Sequence, residues 1–216
     1  MVDIDAAPHA ERDRPLRRDA EQRRRALLCA AASVFLRDGL DAPLESVARE
    51  AAVGIATLYR RFPTREALVE AVFEAKMSAY ADRAEAALAQ SIAEPWPAFA
   101  GYVRDITAMQ TSDPAFGAVL LRPMQGSELF AAEHARSLRS TRLLVSRLRK
   151  TGVVRQDLRE TDLYLLATAT AALAASPGPV PREDAASRMT ELFLDAIRTT
   201  VTDSVDPRGT MKGSDE

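Results

Sequence analysis

The chain has 216 residues, of which 47% are hydrophobic, enough to bury a core in one small and one larger domain. Its formal net charge of −2 argues against a general polyanion-binding protein. The single cysteine excludes an internal disulfide, and no apolar run reaches the ~18 residues that a transmembrane helix needs. The N-terminus lacks an apolar signal segment, so we expect a cytoplasmic protein.

The composition also argues against an enzyme. There are two histidines, and one of them, His9, falls in the N-terminal leader, so a histidine-based triad or metal site cannot be assembled. The nine glycines are isolated from one another, which excludes a glycine-rich phosphate loop. We therefore predict no enzymatic activity, no cofactor and no metal site.

The first 18 residues are predicted to be a disordered basic leader. Seven arginines and three acidic residues lie between Arg12 and Arg25, whereas the chain from Ala67 onward has 17 basic and 20 acidic residues. The basic end is therefore expected to face the phosphates of a nucleic acid. For residues 23–25, a phosphate contact and a merely solvated surface both remain open.

A first helix is predicted over residues 19–37, where apolar residues recur at helical spacing. Gly39 follows as the left-handed residue that ends it. Cys29 lies among small apolar residues of this helix and is predicted to be a buried thiol.

Two short helices joined by a tight turn are predicted next, over residues 43–62. Apolar residues recur at i, i+3, i+4 and i+7 from Leu44 to Ala51, which indicates one inward face. Ile55, Leu58 and Phe62 repeat this pattern at spacing 0, 3 and 7 on the second helix. The segment therefore has the organisation of a helix-turn-helix.

The outward face of the second helix carries side chains suited to DNA. Thr57 is short enough to let the backbone approach a base edge, while Arg60 and Arg61 have the forked donors that bind guanine or phosphate. Ala56 shares that face. Tyr59 lies at its edge, where the ring is buried and the hydroxyl reaches a phosphate.

The words LLCAAASVFLRDGL and VAREAAVGIATLYRRFPTREALVEAVF, within residues 24–77, resemble the TetR family of bacterial transcriptional regulators. Three positions depart from the family pattern: Ala52 stands for the usual turn glycine, Gly54 for the usual capping serine, and Arg65 for the usual lysine that opens the fourth helix. The resemblance places Thr57, Tyr59 and Arg60 on the recognition helix. The predicted DNA-binding residues are Arg24, Ala56, Thr57, Tyr59, Arg60, Arg61, Thr64 and Arg65.

The remainder is predicted to be helical as well, because prolines and glycines leave long uninterrupted windows. Helices are expected from a Thr64 cap to about residue 90, from about 96, over 114–123, 128–151 and 161–175, and over 182–202. The chain is thus an all-α protein with an N-terminal three-helix head, a long linking helix and a helical body. The expected units are the leader at 1–18, a DNA-binding domain at 19–79, an effector-binding and dimerisation domain at 80–202, and a disordered tail at 203–216.

The last two helices are unusually apolar. The helix at 161–175 is apolar nearly all round, and the one at 182–202 has a wide apolar stripe. A monomer core would explain this, but the resemblance implies that the two helices pair with their copies in a second subunit. A two-fold dimer also matches a palindromic operator. The predicted interface residues are Leu165, Ala169, Leu173, Met189, Phe193 and Ile197.

Aromatic and thioether side chains are concentrated in the middle of the body. The family resemblance implies a small-molecule effector bound between these helices, in an apolar pocket with a few polar groups. The alternative is that all of them are core residues. The predicted pocket residues are Trp96, Phe99, Tyr102, Met109, Phe116, Met124, Phe130 and His134.

These patterns favour a sequence-specific transcriptional regulator, a repressor released from double-stranded DNA by an unknown small-molecule effector. The alternative is a ligand-independent architectural DNA-binding protein. That alternative needs a broad basic surface, and it predicts equal affinity for operator and random DNA.

Overall fold

A computed structural model of the chain describes residues 9–122, 128–175 and 179–199. Its regular elements in these ranges are α-helices, as predicted, and none of them is long and apolar enough to cross a membrane. The predicted tail at 203–216 and the predicted pocket residue Met124 lie outside the described residues. The helices are α1 (His9–Asp38), α2 (Leu44–Glu50), α3 (Ile55–Arg61), α4 (Arg65–Gln90), α5 (Pro95–Ser112), α6 (Pro114–Leu120), α7 (Glu128–Thr151), α8 (Glu160–Ala175) and α9 (Arg182–Ile197).

The head is built by α1, α2 and α3 around a shared apolar core. Helix α2 buries Leu44 and Val47, and α3 buries Leu58 completely, as the spacing of these residues predicts. Phe62 follows α3 and is also buried. The inward faces of the two short helices are therefore buried in the core of the head, and their other faces point away from it.

Three features of the terminal helices differ from the predictions. Helix α1 begins at His9 rather than Asp19, because the leader's Ala, Glu, Arg and Leu residues favour a helix; this corrects the predicted leader at residues 9–18. Cys29 is exposed rather than buried, since it faces away from the core that α1 covers. Helix α9 ends at Ile197, where Arg198 pairs with Val154 in an isolated bridge, and so stops short of the predicted end at residue 202.

Two left-handed residues shape the head. Gly39 has φ of +82° and ends α1 as predicted, with its N–H donating to the carbonyl of Phe35 at 3.0 Å. Ala52, in the turn between α2 and α3, has φ of +53°. The left-handed conformation costs a residue with a Cβ about 1–2 kcal/mol, so this turn is strained where a glycine would not be.

Helix α4 joins the head to the body. It starts at the Thr64 cap, whose hydroxyl accepts from the N–H of Ala67 at 3.1 Å. Farther along, Met77 belongs to the apolar cluster of the head and Ala84 to a second cluster in the body, while Tyr80 packs against both. One rigid element therefore runs through both cores.

Helix α6 belongs to the body in sequence but packs into the head. Phe116 and Val119 lie in the same buried cluster as Phe73, and the Phe73 and Phe116 ring centroids are 5.8 Å apart. Asp113 caps α6 by accepting from the N–H of Phe116 at 3.1 Å, and it forms an ion pair with Lys76 of α4. A displacement of α6 would therefore move side chains that belong to the core of the head.

Candidate DNA-binding face, ligand cavity and subunit groove

The outward face of α3 is a small polar surface. Ala56, Tyr59, Arg60 and Arg61 are exposed, with 46% of Tyr59 accessible, and Thr57 is half-buried beside them. Within the described part of the chain, neither Arg60 nor Tyr59 makes a hydrogen bond or ion pair. Their donors are therefore available to another molecule.

Helix α1 and the start of α4 extend this surface. Arg61 donates from Nη1 to the carbonyl of Ala20 in α1 at 3.2 Å, an exposed contact that holds the two helices side by side. Arg24 of α1 and Thr64 at the α4 cap line the same shallow depression. The structure thus brings together Arg24 and Thr64, which are forty positions apart in the sequence, in a depression that Glu70 and Glu74 also line. Their contact with DNA stays a prediction.

Arg65 differs from the rest of the predicted set. Its Nη1 donates to the carbonyls of Leu40 at 2.8 Å and Ala42 at 2.6 Å, and the side chain is half-buried. It therefore fastens the loop between α1 and α2 to the start of α4. Sequence reasoning missed this role because the carbonyls belong to a loop more than twenty residues away; a phosphate contact by Arg65 stays a prediction.

A cavity of about 420 Å³ lies in the body, lined by side chains of α4, α5, α7 and α8 and the C-terminal end of α6. Its size falls in the range of small-molecule sites. Part of its wall is apolar, and part carries hydroxyl, amide and imidazole groups. The polar and charged lining residues are Tyr80, Tyr102, Gln110, Arg122, His134, Ser137, Thr141, Glu160 and Tyr164.

Of the eight predicted pocket residues, Tyr102 and His134 line this cavity. The other described ones do not line it, because large apolar side chains at helical spacing fill the cores instead, and their contact with an effector stays a prediction. Phe116 and Phe130 lie in the cluster of the head and Met109 packs against it, while Phe99 lies in the cluster of the body and Trp96 packs against that one.

Gln110 is a cavity residue that the sequence analysis overlooked. It follows Tyr102 and Ile106 at four-residue steps, so the three side chains lie on one face of α5, and all three line the cavity. The signal available in the sequence was a polar glutamine at a position that continues the inward face of the helix. Tyr80 and Thr141 were missed because nothing local distinguishes them from surface residues.

Apart from Arg122 and Glu160, the polar groups of the wall are uncharged or favour their neutral form. Tyr102 and Thr141 share a hydrogen bond at 2.8 Å between their hydroxyls. Burial raises the pKa of Tyr80 and Tyr102, so they stay protonated, and burial lowers the pKa of His134, which favours its neutral form. Across the described ranges, no three His, Cys, Asp or Glu side chains come together as a metal site.

A groove of about 720 Å³ runs between α8 and α9 on the outside of the body. Large apolar side chains line it although solvent reaches them: Leu165 is 59% exposed, Leu192 47% and Met189 37%. Five of the six predicted interface residues lie here, whereas Leu173 is half-buried elsewhere on α8. Leu192, three residues after Met189, is an exposed groove residue outside the predicted set. The five predicted residues that line the groove are Leu165, Ala169, Met189, Phe193 and Ile197.

Known proteins share both the head sequence and the fold. The model of bacterial regulatory proteins of the tetR family matches residues 27–72. A TetR transcriptional regulator from Streptomyces coelicolor is 32% identical over 82% of this chain and 99% of its own, with a TM-score of 0.50. No curated protein has significant similarity to the chain.

Two solved structures with lower identity share the fold. PfmR, a TetR-family regulator from Thermus thermophilus, is 21% identical over 80% of this chain and 99% of its own, with a TM-score of 0.54. FadR from Bacillus subtilis, solved in complex with stearoyl-CoA, is 16% identical over 80% of this chain and 98% of its own, with a TM-score of 0.58.

Proposed function

The chain belongs to the TetR family of bacterial transcriptional regulators, which are non-enzymatic DNA-binding proteins, and from this premise we propose that it is a cytoplasmic repressor released from a palindromic operator by a small-molecule effector. The observation that carries the proposal is the outward face of α3. That face holds two exposed arginines, while the opposite face of the helix is buried in the head. The architectural alternative finds little support, because the excess of basic residues is confined to the N-terminal part of the sequence.

In this proposal α3 enters the major groove. Thr57, Arg60 and Arg61 contact base edges, since a guanidinium fork matches the two acceptors of guanine. Tyr59 and Arg24 contact phosphates on either side of the helix. Thr64 caps α4, whose N-terminus adds a favourable dipole for a phosphate.

Two copies of the head are needed, because one α3 covers half of a palindromic site. We propose that the second subunit packs against the groove between α8 and α9, where Leu165 and Met189 are exposed apolar residues of one surface. Burying that surface in a homodimer removes it from water. The proposed body domain at 80–202 and head at 19–79 meet on α4, where Tyr80 packs against both clusters.

Helix α6 supports the coupling between effector and head. Its C-terminal end supplies Leu120 and Leu121 to the cavity wall, followed by Arg122, while Phe116 one turn earlier packs into the head. Arg122 also forms an ion pair with Asp41 of the head at 3.0 Å. An effector that fits the cavity better when α6 has moved would favour a head position that no longer fits the operator.

The FadR complex with stearoyl-CoA supports an effector in general terms, since it contains a small molecule bound to a protein of this fold. At 16% identity, the similarity to FadR does not indicate which ligand this chain binds. The cavity of this protein has its own lining.

The proposal is tested by fluorescence anisotropy with labelled DNA from upstream of the protein's own gene and an excess of unlabelled random DNA. Saturable binding that survives the competitor is expected of an operator-specific regulator. Equal competition by random DNA would contradict autoregulation, and selection from random oligonucleotides would then decide between a distant operator and an architectural protein.

A further inference from the structure

One side-chain nitrogen of a residue that lines the cavity has no partner. Gln110 is 1% exposed, and its Nε2 makes no hydrogen bond, although its Oε1 accepts from the hydroxyl of Thr170 at 3.1 Å. In the described residues it is the one buried side-chain nitrogen or oxygen in this state. A buried N–H without an acceptor is destabilising, and native proteins contain few of them.

The surrounding fold does not need this amide. The hydroxyl of Thr170 also lies 3.0 Å from the carbonyl of Leu166 in its own helix, so it keeps an acceptor when Gln110 is absent. Two hydroxyls of the wall, those of Tyr102 and Thr141, are hydrogen-bonded to each other at 2.8 Å. Gln110 therefore offers a donor for which the protein supplies no acceptor.

The charges at the edge of the cavity are also engaged. Arg122 pairs with Asp41 at 3.0 Å, and Glu160 pairs with Arg142 at 3.0 Å; all four side chains are well exposed. The inner wall is apolar apart from its neutral polar groups, and Ile106 and Leu163 are buried members of it. A charged ligand would lose its hydration here without gaining a free counter-charge.

We propose that the cavity binds an uncharged, largely apolar molecule with one carbonyl oxygen, and that this oxygen accepts a hydrogen bond from Nε2 of Gln110. The inference rests on the proposed function and names the chemical class of its effector. Apolar contact with the leucine and isoleucine wall provides the affinity, and the carbonyl provides the orientation. Gln110 is then the residue that distinguishes a ketone, ester or lactone from a hydrocarbon of the same shape.

The test uses three probes of one shape: 2-acetylnaphthalene, 2-ethylnaphthalene and 2-naphthoate. Their dissociation constants for the full-length protein are measured by isothermal titration calorimetry at neutral pH. The ketone is expected to bind roughly fivefold more tightly than the hydrocarbon, the value of one hydrogen bond, and more tightly than the anion. Absence of ketone binding, equal binding of all three probes, or tightest binding of the naphthoate would overturn the proposal.

Gln110→Leu removes the amide while keeping an apolar side chain of similar size. It is expected to abolish the preference for the ketone without lowering the midpoint of thermal unfolding, because an unpaired donor is removed. The matched control is Gln90→Leu, the same change at an exposed position of α4 outside the cavity, which should leave the preference intact. A lower midpoint together with an unchanged preference would make Gln110 a structural residue and the proposal wrong.

Gln110→Met, which keeps an unbranched side chain, repeats the test if the leucine variant does not fold. Failure of both variants to fold would show that the amide is required by the fold, which also overturns the proposal. Operator binding by fluorescence anisotropy is measured on the same samples. A protein that binds its operator but no ketone contradicts the ligand class alone, whereas a protein that binds the ketone but no specific DNA contradicts the proposed function alone.

Discussion

Two surfaces of this protein are left without partners in the chain itself, and their chemistry is opposite. The outward face of α3 exposes Arg60 and Arg61 on a helix of seven residues. The groove between α8 and α9 exposes Leu165, Leu192 and Met189. A cationic face gains most from a polyanion and an apolar one from another protein surface, so each surface specifies its class of partner.

The two surfaces also differ in how they are supported. Helix α3 buries one of its own residues, Leu58, and depends on a strained turn and on a loop that Arg65 fastens. Helices α8 and α9 are each more than twice as long and pack against α5. The DNA-binding face should therefore respond to single substitutions in its supports, and the groove chiefly to changes in the groove.

The largest effect is expected from Leu165→Glu, which places a charge in the apolar groove of each subunit. Burying an unpaired carboxylate should weaken the dimer by roughly 3 kcal/mol or more. Sedimentation velocity as a function of protein concentration measures the shift toward monomer. Leu143→Glu, at an exposed leucine of α7 outside the groove, is the matched control. A dimer that tolerates Leu165→Glu would remove the groove from the interface.

Arg60→Ala should lower operator affinity by roughly 2 kcal/mol, since each subunit loses a hydrogen-bonded base. Dimerisation should not change, because the substitution lies on an exposed face of the head. Anisotropy with operator and random DNA measures both the affinity and its specificity. Arg83→Ala, an exposed arginine in the body half of α4, should bind as the parent does. An unaltered operator affinity would remove Arg60 from the recognition surface.

Arg65→Ala separates a structural role from a DNA contact. Loss of its bonds to the Leu40 and Ala42 carbonyls should lower the free energy of unfolding by about 1–2 kcal/mol, measured by urea denaturation. If Arg65 also binds a phosphate, the substitution should reduce the log–log slope of operator affinity against salt concentration by about 0.9 for each phosphate released. Reduced stability with an unchanged slope would assign Arg65 to the fold alone, and the opposite result to DNA alone.

Ala52→Gly should have the smallest effect of the four, and it should raise the free energy of unfolding rather than lower it. Relief of the left-handed strain is partly offset by the extra freedom of glycine in the unfolded chain, which leaves a gain of about 0.5 kcal/mol. Thermal unfolding measures the change. Ala86→Gly, at an exposed interior position of α4, should instead lower the free energy of unfolding by roughly 1 kcal/mol. A loss at Ala52 would show that the turn is not strained.

Local patterns accounted for most of the architecture. The spacing of Leu44, Val47 and Leu58 predicted the short helices α2 and α3, because an amphipathic helix buries every third or fourth residue whatever it packs against. The left-handed end at Gly39 followed from the one residue type that adopts that conformation without cost. The apolar groove could be predicted for the same reason, because α8 and α9 carry apolar residues on wide faces that a single neighbouring helix would not cover.

The cavity was not predictable to the same degree. Aromatic content pointed to Phe116 and Phe130, yet these fill the cluster of the head, and Gln110 completes the cavity wall instead. A helical pattern shows that a side chain faces inward, but not whether another side chain or an empty volume lies opposite. That depends on how α4, α5, α7 and α8 approach one another.

The sequence by itself determined the class of protein, the helices of the head and the chemistry of its two unpartnered surfaces, because each follows from residues close together in the chain. Tertiary structure alone decided that Arg65 binds loop carbonyls, that α6 belongs to the core of the head, and that the Nε2 of Gln110 has no partner. These outcomes depend on contacts between segments tens of residues apart. Their distances are set by the packing of whole helices, which no local pattern records.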